Sequence, residues 1–161
     1  MTVDELGEYG MDRMDDEEIT GFLSARNMGV LGLPTAAEPY LLPMSYGFAG
    51  GRSLYFLYVV GADSRKADLS AGADNASFLV YSAETMFNWE SVLLEGTLHE
   101  LSTGKRAELE DAAIPGWRPE LFQAASESEE TLIYEFRIEE WAGVRHTGLP
   151  PGLAEDSGES A

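Results

Sequence analysis

Leu54-Tyr-Phe-Leu-Tyr-Val-Val-Gly-Ala-Asp-Ser-Arg-Lys-Ala-Asp68 carries an apolar strand into a charged helix start, and its reading decides the fold. Leu54 to Val60 has the aromatic and β-branched content of a strand, Gly61 ends it, and Ser64-Arg65-Lys66 falls on the first turn of a helix. A hydroxyl, a guanidinium and an ammonium then stand beside backbone N–H groups that have no intrahelical partner. Such a junction cradles an anion, phosphate above all. Two cations at a helix N-terminus each cost about 0.3 to 1 kcal/mol against the macrodipole, which a bound anion offsets. For the triplet taken alone, the alternative is a solvated basic turn paired with Asp63 or Asp68.

Strand-like runs separated by turn residues extend on both sides: Met28 to Leu33, Tyr40 to Phe48, Ser53 to Val60, Ala76 to Ser82, Ser91 to Leu101 and Leu132 to Ile138. Ala49-Gly50-Gly51-Arg52 reads as a hairpin turn, because paired glycines supply positive φ. Pro43 forfeits one ladder hydrogen bond, which puts its strand at an edge, a bulge or a ligand-facing kink. Met14 to Arg26 predicts a short amphipathic helix with acids in its first turn and Ile19, Phe22 and Leu23 spaced i, i+3, i+4. Weaker helices are expected over Gly104 to Ala112 and Pro119 to Ala125. The pattern gives an N-terminal extension over residues 1–13, one domain over 14–148 and a disordered acidic tail over 149–161. Six short strands and few helices predict a mainly β protein, a small antiparallel barrel with peripheral α-helices.

Composition bounds the function. The chain has 161 residues, with 29 acidic against 10 basic and a formal net charge of -19; Lys66 and Lys105 are its only lysines. A hydrophobic content of 44% still builds a core, so the acid belongs on the surface. Such a surface repels itself until salt screens it, which reads as adaptation to a high-salt cytoplasm. No basic stripe exists to displace counterions, so nucleic acid is not expected as a partner. Absence of cysteine excludes disulfides, thiolate nucleophiles and zinc-cysteine sites. His99 and His146 are the only imidazoles. The acidic N-terminus has no signal-peptide pattern, and no run reaches the roughly eighteen apolar residues of a spanning helix. The expectation is a cytoplasmic protein with no membrane partner.

The order of motifs resembles the pyridoxamine 5'-phosphate oxidase-like FMN-binding split-barrel superfamily, in a haloarchaeal-type member, over about residues 14 to 146. The matching pieces are Gly29-Val-Leu-Gly-Leu33, Pro39-Tyr-Leu-Leu-Pro-Met-Ser45, Ser53-Leu-Tyr-Phe-Leu57 leading to Gly61-Ala-Asp-Ser-Arg-Lys66, and Trp89-Glu-Ser-Val-Leu-Leu-Glu-Gly-Thr-Leu-His-Glu-Leu101. The resemblance implies a six-stranded antiparallel split β-barrel, a homodimer, and FMN in a groove at the dimer interface. It implies phosphate binding by Ser64, Arg65 and Lys66, a flavin ring bordered by the backbone of Leu42, Pro43, Met44 and Ser45, and Phe56 and Leu57 beside it. Ser91 falls where pyridoxamine phosphate oxidases carry a flavin-binding glutamine. Trp89 covers either the ring or the groove mouth, or packs as a rim aromatic at the interface. Trp141, Arg145 and His146 resemble in type the aromatic and basic residues used near the family's C-terminus.

The chain also departs from its relatives. The Arg-x-His arrangement that recognises substrate phosphate in pyridoxamine phosphate oxidases is contiguous here as Arg145-His146. The third strand reads Tyr55-Phe56-Leu57 where nitroimidazole-reductase-like members read Tyr-Phe-His. Neither the vitamin B6 reaction nor a histidine-dependent role on that strand is therefore implied. Other constellations are weak. His99, near Glu95 and Glu100, reads as a surface residue; no Gly-x-Ser-x-Gly elbow exists; Gly50-Gly51 lacks the dinucleotide fingerprint; and pairing of Glu84, Glu90 and Glu95 is chance in so acidic a chain. The functional expectation is an FMN flavoprotein, with no catalytic acid or base, passing electrons from reduced nicotinamide to a small-molecule acceptor. Use of the deazaflavin F420 by the same fold, or a non-catalytic flavin- or haem-binding module, are the alternatives.

Overall fold

The computed structural model describes residue 7 and residues 10–59, 65–72, 74–111 and 131–148. Its elements run β1 (Met11–Met14), α1 (Asp16–Ser24), β2 (Met28–Leu33), β3 (Tyr40–Ser45), β4 (Gly47–Phe48), β5 (Ser53–Val59), α2 (Arg65–Gly72), β6 (Ala76–Thr85), β7 (Asn88–Glu100), α3 (Thr103–Asp111) and β8 (Thr131–His146). The helix expected over Pro119 to Ala125 and the tail over 149–161 lie outside the described residues. All six expected strands are present. Two short ones, β1 and β4, bring the sheet to eight strands, every pairing antiparallel, in the order β3-β2-β6-β7-β8-β5-β4 with β1 also on β8. Residues 11–13, assigned from sequence to the N-terminal extension, thus belong to the sheet.

The sheet closes on itself through a corner at Tyr46. β3 and β4 stand at opposite ends of the strand order, yet Tyr46 alone separates them in sequence. A sheet whose two edges are joined by one residue must curl, and β3 accordingly approaches β5. Tyr46 is buried and held on three sides: its N–H donates to Asn27 O at 2.9 Å, its hydroxyl donates to Leu23 O at 2.8 Å, and its ring meets Phe78 edge-on at 5.5 Å. The expected continuous strand from Tyr40 to Phe48 is therefore two strands on two edges. Pro43 sits on the edge strand β3, as its missing N–H requires.

Alternation along the strands fills the inside with Leu31, Leu33, Leu54, Phe56, Tyr58, Phe78, Val80, Val92, Leu94 and Phe136, all buried. The rings of Phe56, Phe78 and Phe136 pack with centroids 4.8 to 6.5 Å apart. β8 runs eight residues past the expected end at Ile138, because a bulge resets its alternation. Glu95 pairs Glu140 and Gly96 pairs Ile138, leaving Glu139 as the extra residue. A Cβ on Gly96 would lie 1.9 Å from Arg137 O, so only glycine fits there. The Gly50-Gly51 turn between β4 and β5 has φ of 93° and 73°.

α1 caps the barrel. Asp15 accepts from Glu18 N–H at 2.8 Å and Glu18 accepts from Asp15 N–H at 3.3 Å, a reciprocal capping box. Ile19, Phe22 and Leu23 are buried against the core as the spacing predicts. α3 covers the outer face of the β5 half, where Leu109, Tyr55 and Leu57 pack around Leu101 and Ile133.

Candidate functional site

Of the strand-to-helix junction, the described residues are the end of β5 at Val59 and the start of α2 at Arg65. α2 starts at Arg65, as the triplet predicts. Ser64 and the side chains of Arg65 and Lys66 lie outside the described residues. α2 is anchored one turn further on: Ala67 and Ser70, spaced i, i+3, are both buried. Ser70 Oγ lies 2.8 Å from the hydroxyl of Tyr58, the second-last residue of β5. Burial pushes the Tyr58 phenol up to about 12, so its hydroxyl keeps its proton.

The second-strand segment alternates. Leu42 packs against the core and Met44 is buried in it, while Pro43 and Ser45 face out and are exposed. Phe56 gives its ring wholly to the core, so a ligand beside this stretch meets its backbone. Leu57 points to the other face, under α3. Closure of the sheet through Tyr46 brings β3 and β5 together, and with them the two segments that carry Leu42 to Ser45 and Phe56 to Leu57.

Trp89 and Ser91 lie on the outer face of β7, two residues apart. Trp89 pairs with His146 across the ladder and stacks on its imidazole at 6.1 Å and 28°. The same ring is buried, with Phe87 6.1 Å away and Phe87 O 2.8 Å from its Nδ1. Ser91 lies between Tyr81 and Val144.

Arg145 pairs with Glu18 of α1, and Trp141 donates its indole N–H to Asp16 Oδ1 at 2.8 Å beneath the guanidinium of Arg52, 3.7 Å from the ring. Arg145 and Trp141 thus fasten α1 to β8. His99 is half-buried, its Nε2 2.9 Å from Thr97 Oγ1.

Several of the described arginines are engaged inside the fold. Arg26 lies over Phe22 and near Glu90, Arg106 donates to Thr131 O, and Arg137 pairs with Glu135. An apolar depression of about 300 Å³ opens among Gly32, Leu33, Pro34, Pro39, Leu41, Asn75, Ala76 and Ser77. It contains none of the residues that the family resemblance assigns to cofactor binding. Among the described residues there is no cluster of His, Asp and Glu able to hold a metal, and no helix long and apolar enough to cross a membrane.

Sequence reasoning missed Tyr46 and the Tyr58–Ser70 contact. Both tyrosines fall at inward positions of a period-two pattern, which alone reads as core; their polar partners come from distant residues.

A curled antiparallel half-barrel with helices on its outside is the split β-barrel of FMN-binding type. The chain belongs to the pyridoxamine 5'-phosphate oxidase family, whose model matches residues 15–145. No curated protein matches it. Among solved structures it is similar to an FAD-binding protein from Mesorhizobium loti (TM-score 0.68, 18% identity, 86% of this chain and 98% of that one). It is also similar to an FAD and heme binding protein from Mycobacterium smegmatis (TM-score 0.66, 19% identity, 94% and 82%). A flavocytochrome from Azotobacter vinelandii matches as well (TM-score 0.64, 19% identity, 94% and 76%). At these identities the likeness establishes the fold.

Proposed function

We propose that this protein is an FMN-binding oxidoreductase that takes electrons from reduced nicotinamide and passes them to a small-molecule acceptor. The observation that carries the reading is the family match over residues 15–145, with α2 beginning at Arg65 after β5. Residues of this chain fit an anionic cofactor: Ser64, Arg65 and Lys66 supply donors at a helix start. Leu42 to Ser45 and Phe56 to Leu57 would border the ring, chiefly through backbone groups. Trp89 and Ser91 would line the groove mouth. The flavin supplies the redox chemistry when bound; the protein binds, orients and shields it.

A homodimer with flavin at its interface is part of the proposal, and the bare half of the outer sheet supports it. Pro43, Val30, Leu79, Leu93 and Ala142 face each other in register across five strands. Met28, Tyr81 and Leu93 on this face are 51, 57 and 41% exposed. A contiguous apolar face on a chain of net charge -19 is the kind of surface that a second copy covers. The same charge supports working in a salt-rich cytoplasm.

A second reading, a flavin- or haem-binding module without turnover, is favoured by the neighbour described as binding FAD and heme and by the flavocytochrome. Three similar structures are described as FAD-binding, which makes FAD the competitor of FMN. Mass spectrometry of the ligand released from protein purified in high salt, with its absorption spectrum, tests both. FMN with reduction by NADH or NADPH supports the proposal; FAD, F420 or haem overturns the cofactor, and a flavin that no nicotinamide reduces overturns the enzyme.

A further inference from the structure

We propose that the apolar depression beside the β2–β3 hairpin binds a small uncharged molecule of two fused rings, at a place independent of the cofactor residues assigned above. Its floor is a missing side chain. Gly32 pairs with Leu41 on one side and with Ser77 on the other, so the outer face of the sheet lacks one side chain between them. Leu41, left without that neighbour, is 66% exposed, more than any other leucine among the described residues. An apolar occupant would take it out of water.

The rim is set by the chain itself. Pro34 and Pro39, each with its φ locked, bracket the hairpin loop, and Thr35 closes it. The Thr35 hydroxyl donates to Glu38 O at 2.5 Å and accepts from the Ala37 N–H at 3.1 Å. Asn75, Ala76 and Ser77 form the facing wall. A ligand therefore enters a depression whose loop side is already fixed, with little ordering to offset.

Size and charge select the occupant. A dry apolar cavity of about 150 Å³ holds benzene. This one measures about 300 Å³ and is open to solvent, which suits a two-ring molecule that keeps one edge in water. Ser77 and Asn75 offer a hydroxyl and an amide for one polar group on that molecule. Glu38 and Asp74 adjoin the lining residues in sequence, Glu95 faces Ser77 across β6 and β7, and the lining holds no lysine or arginine. Carboxylates and phosphates are thus repelled, and an uncharged ring system is not.

Indole is the probe, titrated into the full chain in molar salt and followed by amide chemical shifts. Shifts should move at Gly32, Leu41 and Ser77 and saturate with a dissociation constant of about 1 mM or below. Indole-3-acetate, the same rings carrying a carboxylate, should bind at least about fivefold more weakly. Ser77→Leu fills the depression and Leu41→Ala removes one wall; each should weaken indole at least about fivefold. Both positions are exposed, and Leu41→Ala carries the test if Ser77→Leu does not fold. Leu93→Ala, on the neighbouring apolar row, should leave indole binding unchanged. Equal weakening by Leu93→Ala would move binding to the open sheet face and overturn the inference. Absence of a saturable shift at Gly32, Leu41 and Ser77, the result if a second copy fills the depression, overturns it as well. Equal affinity for indole and indole-3-acetate would overturn the selection by charge.

Discussion

Tyr46 donates its hydroxyl to the carbonyl oxygen of Leu23 at 2.8 Å, tying the corner between β3 and β4 to the last turn of α1. The corner that curls the sheet and the helix that caps it are thereby one unit. Tyr46→Phe keeps the ring in place and removes the hydroxyl donor from Leu23 O, which also receives a long 3.5 Å contact from the Arg26 N–H. The expected loss is about 0.5 to 1.5 kcal/mol, read as a lower urea midpoint with an unchanged slope. An unaltered midpoint would mean that the corner is held by ring packing alone.

Alkali should unfold the protein through the same buried tyrosines. Burial pushes Tyr46 and Tyr58 up to about 12 from the ordinary value of 10.0, Arg26 opposing the shift at Tyr46 and Ser70 at Tyr58. Between these two values the unfolded chain loses phenolic protons that the folded chain keeps, so stability falls as pH rises. The contribution is present in full below about pH 10 and is lost toward about pH 12, with a slope near 1.4 kcal/mol per pH unit for each tyrosine. Tyrosinate absorbance and circular dichroism followed together should change in one transition. Ionisation of all seven tyrosines before any loss of structure would contradict the assigned burial.

Gly96→Ala should be among the most damaging single-methyl changes in the barrel. The added Cβ would meet backbone at Arg137 O, which no side-chain rotation relieves. An overpacking cost of about 1 to 3 kcal/mol is expected, with the β7–β8 bulge displaced. Gly104→Ala, where a Cβ meets nothing within 4 Å, serves as the control in a parallel thermal melt. Equal melting temperatures for the two variants would refute the account of the bulge.

Much of this architecture was legible in the sequence, and its failures have physical causes. β2 matches its expected bounds because Leu31 and Leu33 alternate with outward residues between clear turn signals. The break at Tyr46 was hidden because Tyr40, Leu42, Met44, Tyr46 and Phe48 keep a period of two straight through the corner. The second half of β8 was hidden for the opposite reason: the bulge at Glu139 throws Trp141 and Gly143 out of phase with Phe136 and Ile138. At the candidate site the helix start at Arg65 was readable from local residue chemistry. The Tyr58–Ser70 contact was not, since no periodicity relates a strand tyrosine to a helix serine.

The phosphate segment is open to a direct charge test. Charge-assisted hydrogen bonds to phosphate contribute about 1.5 to 3 kcal/mol each, so Arg65→Ala with Lys66→Ala should weaken FMN at least about tenfold. Arg145→Gln is the matched control, because that guanidinium is engaged by Glu18 in a half-exposed pair of small energetic weight. Undiminished FMN affinity in the double variant, measured by fluorescence titration, would remove these residues from the site.

Salt should control flavin retention if the cofactor groove is built between two copies. A charge of -19 on each chain repels its partner over a Debye length of about 30 Å at about 0.01 M salt and only about 3 Å at about 1 M. Lowering salt should therefore separate the dimer before the core unfolds. The apolar row from Pro43 to Ala142 would then be uncovered, and dye binding should report it over the same salt range. Flavin should leave in step, because the groove loses one wall while the acidic surface repels the cofactor's phosphate. Light scattering and ultrafiltration of dialysed samples measure the two events side by side. A monomer that keeps its flavin at low salt would place the whole site within one chain.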